Sequence, residues 1–60
     1  MVLPYGATRD DLEKCISIVR NITGKQEVTV LATEILNIIY SKGGDYSEET
    51  IRCFSEAYLK

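Results

Sequence analysis

The chain has no histidine and only two cysteines. Without histidine it lacks the side chain that most often moves protons near neutral pH, and the commonest metal ligand as well. Cys15 and Cys53 stand far apart, with no Cys-x-x-Cys spacing. Two thiols cannot complete a four-ligand zinc site, so no metal or cofactor is expected. Both cysteines read as small buried hydrophobes of a reducing compartment; the alternative is a disulfide pinning the first helix to the last. The carboxylates offer no catalytic constellation either. Asp10 with Asp11, and Glu48 with Glu49, stand where helices begin and complement the helix dipole. No catalytic residue and no enzyme activity are expected.

Long apolar runs and an excess of one charge are also missing. A spanning helix needs about 20 apolar residues, and Glu34 and Asn37 interrupt the most apolar run here. Seven basic and nine acidic residues, well mixed, leave a net charge of −2. That is no electrostatic footprint for nucleic acid, and too little negative charge for a mimic of it. Met1–Gly6 has neither a basic n-region nor a long apolar stretch, so no secretory signal is expected and the reading is cytoplasmic. In that compartment the sequon Asn21-Ile22-Thr23 carries no glycan.

What is present is a strongly apolar segment, Val28 to Tyr40. On a helix at about 100° per residue, Val28, Leu31, Ala32, Ile35, Leu36, Ile38 and Ile39 span an arc of roughly 160°. Thr29, Thr33, Glu34, Asn37 and Ser41 hold the other side. A core-facing stripe is nearer 100° wide. So broad an arc needs neighbours on two sides, and 60 residues supply few elements. Chains of this size bury only about 60% of their unfolded surface, and oligomerisation often completes the core.

The punctuation predicts three helices, over about 9–23, 27–41 and 48–59, forming one domain across 1–60. Thr8 caps the first, in which Leu12, Cys15, Ile16, Val19 and Ile22 recur at helical spacing before Gly24 ends it. Residues 27–31 also show the β-branched alternation of a short strand, but the periodicity continues to Tyr40, too far for a typical strand. Ser41-Lys42-Gly43-Gly44 breaks the second helix. Ser47 caps the third, with Tyr46 placed to pack on Ile51 as a hydrophobic staple.

The fold class that follows is all-α: a small three-helix bundle completed by homodimerisation through the central helix. Its expected core is Leu12, Ile16, Val19, Leu31, Ile35, Ile38, Ile51, Phe54 and Tyr58. The surplus residues Val28, Val30, Ala32, Leu36, Ile39 and Tyr40, with Tyr5 ahead of the first helix, are the expected partner surface. Pro4 and Gly6 make the segment around Tyr5 either an ordered turn or a flexible arm.

The function this implies is a protein-interaction module: a regulator, adaptor or inhibitor that binds a protein partner, with itself as the first candidate. The alternative is a helix-turn-helix DNA-binding regulator, in which Lys42, Ser47 and Arg52 would contact the duplex. Glu48, Glu49 and Glu56 on the presumptive recognition helix weigh against it, since they would repel phosphates.

Overall fold

A computed structural model describes residues 3–59 of the chain, so the domain expected over 1–60 is described apart from positions 1, 2 and 60. The described residues form three helices, α1 (Arg9–Thr23), α2 (Thr29–Ser41) and α3 (Glu48–Leu59), and no strand. Each helix packs against both of the others. No helix of the described residues is long and apolar enough to cross a membrane.

The ends of α1 are made by its own sequence. Thr8 Oγ1 accepts from the Asp11 amide at 3.3 Å, and Asp11 Oδ2 accepts from the Thr8 amide at 3.0 Å. This reciprocal capping box satisfies amides that have no partner within the helix. At the other end Gly24, at φ 73°, donates to the Arg20 carbonyl. A left-handed residue there closes the helix, and only glycine takes that conformation without steric cost. Arg20 Nε then donates to the Gln26 carbonyl at 3.1 Å, tying the link back onto α1.

The second helix begins at Thr29, two residues later than the spacing predicts. Val28 is its N-cap and offers no capping side chain, so the Glu27 carboxylate accepts from the Thr29 amide instead. Val28 itself is buried, and it is anchored in the core rather than free to continue the helix backward. The extended signature of 27–31 thus describes one capping residue, while Thr29, Val30 and Leu31 are helical.

The interior corrects the predicted division of the central helix. Val28, Ala32, Leu36 and Ile39, expected on a partner surface, are all at most 1% exposed and sit in the core with Ile35. Leu31, Ile16 and Phe54, expected in the core, are half-buried and pack against it, and Ile38 is half-buried at its margin. Tyr58 is exposed. The helical wheel gives the width of an apolar arc but not the direction from which neighbours arrive. Here the side that carries Ala32 is the one removed from water. Cys15 Sγ reaches the Ala32 carbonyl at 3.5 Å. One chain therefore covers most of the wide arc without a second.

From α1 the core takes Leu12, Cys15 and Val19; from α3 it takes Ile51 and Ser55. Among the described residues Ser55 is the buried polar exception: it neighbours the Cys15 thiol, and its Oγ makes no hydrogen bond of good geometry. An unsatisfied buried hydroxyl is destabilising by about 1–3 kcal/mol. Ser55→Ala should therefore raise stability by roughly 1 kcal/mol, while Leu36→Ala should lower it by about 3 kcal/mol through lost burial and a residual cavity. Urea denaturation at fixed protein concentration checks both. A neutral Leu36→Ala would put that side chain outside the core.

Candidate interaction surface

With Ala32, Leu36 and Ile39 turned inward, helical spacing turns Val30, Thr33, Glu34, Asn37, Tyr40 and Ser41 outward. Val30 is 72% exposed and Tyr40 50%, although both are large apolar side chains. This outer face holds one carboxylate, Glu34, and no cation. Its polar groups are largely paired already. Thr33 Oγ1 donates to the Thr29 carbonyl at 2.9 Å, Asn37 Nδ2 to the Thr33 carbonyl at 2.9 Å, and Ser41 Oγ to the Ile38 carbonyl at 2.8 Å. Glu34 Oε1 accepts from the Tyr58 hydroxyl at 3.0 Å. Donors that already have acceptors lose little when a partner displaces water from the face.

Tyr58, which sequence spacing assigned to the core, is 45% exposed and borders this face through that bond. The hydrogen bond to the Glu34 carboxylate, and then its charge, push the Tyr58 phenol above its ordinary pKa. The carboxylate and hydroxyl come from different helices, a pairing that no local spacing announces.

At the C-terminal end of α2 the remaining tyrosines gather. Tyr46 packs on the core and donates from its hydroxyl to the Tyr5 carbonyl at 3.0 Å. Burial raises the Tyr46 pKa most, with Tyr40 and Asp11 adding to it. The segment before α1 is an ordered turn: Ala7 donates to the Pro4 carbonyl at 3.1 Å, Gly6 sits at φ 89°, and Pro4 is buried. Tyr5 projects from it 86% exposed. Of the predicted partner residues, Val30, Tyr40 and Tyr5 are thus on the surface, and Val28, Ala32, Leu36 and Ile39 are not.

The residues of the DNA alternative are placed differently. Ser47 is consumed in capping: its Oγ accepts from the Thr50 amide at 3.4 Å and donates to Thr50 Oγ1 at 3.0 Å. Asp45 closes the same helix start, its carboxylate accepting from the Ser47 amide at 3.2 Å and the Thr50 hydroxyl at 2.9 Å. Those bonds, the Thr50 hydroxyl first, hold the Asp45 pKa below its ordinary value. A carboxylate therefore already sits where a phosphate would approach. Arg52 is paired with Glu48 at 3.3 Å, and Lys42 is exposed at the far end of α2.

Between α1 and α3 lie two shallow, adjoining depressions of about 190 and 320 Å³. Ile18, Asn21 and Arg52 line both, with Lys14 and Glu48 at one end and Glu56 at the other. Charge of both signs beside Ile18 and Ile22, on an open and shallow surface, makes this a wet furrow rather than an enclosed ligand pocket. Among the described residues no group of three or more His, Cys, Asp or Glu side chains could hold a metal. Both cysteines are free; Cys15 is buried as expected, whereas Cys53 is exposed on α3. No family model, curated protein or solved structure matches this chain.

Burial pushes the Cys15 thiol from 9.0 up to about 11, with the neighbouring Ser55 hydroxyl opposing it. A thiol-specific reagent at pH 8 should therefore label Cys53 rapidly and Cys15 only after denaturant is added. Two equally fast thiols would contradict the packing of α1 on α2. The raised thiol pKa also fixes a sign: the folded state keeps the proton that the unfolded chain releases, so stability is intact below pH 9 and declines from there toward pH 11. Urea midpoints taken across that range check the decline.

Proposed function

We propose that the chain works by binding another protein through the outer face of α2, as a regulator, adaptor or inhibitor. One observation carries this reading: the most exposed large apolar side chain of any helix, Val30, shares with Tyr40 a face that has no cation and one carboxylate. The fully buried centre of a protein–protein contact is depleted of charge and enriched in aromatic residues. The pre-paired polar groups of Thr33, Asn37 and Ser41 favour the same use.

Catalysis is not part of the proposal. Asp11 and Asp45, the best-held carboxylates, are committed to helix starts. Nucleic-acid binding is the weaker reading, because Asp45 and the Arg52–Glu48 pair occupy the groups it would need. The location that goes with this reading is the cytoplasm, where an exposed thiol such as Cys53 stays reduced.

Photo-crosslinking tests the assignment. A photoreactive residue at position 30 or 40, introduced in the native cell, should give defined protein adducts, and one at position 14 in the furrow should not. Adducts to nucleic acid, or protein adducts from position 14 alone, would overturn the reading.

A further inference from the structure

We propose that the outer face of α2 seats a protein segment presenting one arginine amid apolar side chains, its guanidinium docked on Glu34 beside the Tyr58 ring. The inference rests on the protein-binding reading above and names the chemistry of the partner. Charge complementarity selects it. Val30, Glu34 and Asn37 are exposed at spacings of four and three, so they follow one row along α2. Glu34 is the only charged residue in the whole of α2. Among the described residues no cation pairs with it.

Tyr58 holds this carboxylate ready for such a contact. Its hydroxyl takes Glu34 Oε1 at 3.0 Å, and Oε2 has no partner among the described residues. The phenol ring beside it is nearly half exposed. A guanidinium suits both groups. It has donors for the free oxygen and a flat face that stacks on an aromatic ring, and it sheds water more readily than an ammonium. Val30 stands one turn before Glu34 and offers apolar surface to the arginine stem and its neighbours.

The same carboxylate works against other occupants. A wholly apolar segment strips Glu34 of water and returns no opposite charge, a loss that one phenol hydroxyl only partly offsets. A second copy docked by this face brings another Glu34 and no cation, because α2 has none.

Helical peptides of one designed sequence, apolar along one face, carry arginine, citrulline or glutamate at the centre of that face. Citrulline keeps the shape of arginine without its charge. Titrated into the whole isotope-labelled chain, the arginine peptide should shift the amides around Val30, Glu34 and Tyr58. It should bind roughly tenfold tighter than the citrulline peptide, and the glutamate peptide should not bind. Glu34→Gln leaves Tyr58 an acceptor and should erase the tenfold preference, with helix content unchanged by circular dichroism. Equal affinity for the arginine and citrulline peptides, or a preference that survives Glu34→Gln, overturns the arginine and leaves the protein-binding reading standing. So do peptides that leave the α2 amides unshifted at about 1 mM while a photoreactive position 30 still captures protein. Position 30 adducts made only of two copies of this chain give the face to a second copy and overturn the arginine as well. Unshifted amides with no protein adduct overturn both inferences.

Discussion

The close approach of α1 to α2 at Ala32 governs how this small protein closes. A methyl side chain there lets Cys15 come within 3.5 Å of the α2 backbone. Leu36 and Ile39 join the same core cluster and are removed from water. Each such aliphatic side chain contributes about 1.5–3 kcal/mol when fully buried. In a chain whose net stability is a small difference of large terms, this side of α2 is where the fold is decided. The other helices are braced locally, by the Thr8–Asp11 box and by the Ser47, Asp45 and Thr50 cluster. Those devices set where helices begin, and the Ala32 side sets how they meet.

The outer face of α2 follows from that inward commitment. Once the alanine side is interior, Val30 and Tyr40 are left in water, uncovered by the other described residues. The same turn of the helix places Thr33, Asn37 and Ser41 where their donors find backbone carbonyls. A face with few charges, some apolar area and few unsatisfied donors is inexpensive to dehydrate, and this links the core packing to the proposed binding role. The acidic groups at the start of α3 work the other way, by keeping that end of the molecule unattractive to phosphates.

How much of this was legible in the sequence depends on the range of the interaction. Caps and breakers are local, so Thr8, Gly24, the Gly43–Gly44 break and Ser47 could be read directly, and all three helices with them. The start of α2 was read two residues early, because Glu27 lies in helical phase yet serves as a substitute cap. The partition of α2 is a tertiary property. Seven apolar positions on one wheel do not say which of them the neighbours choose, so spacing puts Ala32 and Leu36 outside and Ile38 inside, the reverse of their burial, while Leu31 does pack against the core. Tyr58 misled for the same reason: its spacing from Phe54 suits a core, but a carboxylate from another helix holds it at the surface. Cys53 is expected buried as a reduced thiol, yet its helical neighbours are Glu49, Thr50, Glu56 and Ala57, whereas Cys15 lies in the stripe of Leu12 and Val19. Val30 and Tyr40 were legible as candidates because they fit the apolar arc worst.

The most direct measurement of the central claim, that one chain covers the wide side of α2 by itself, is helix content followed through urea on serial dilution. The mass must be measured at each step, down to concentrations where only monomer remains. The account predicts a cooperative unfolding transition in the monomer, with a midpoint that no longer changes on further dilution. Loss of helix together with loss of mass would contradict it, because the buried arc would then belong to an assembly and not to the chain.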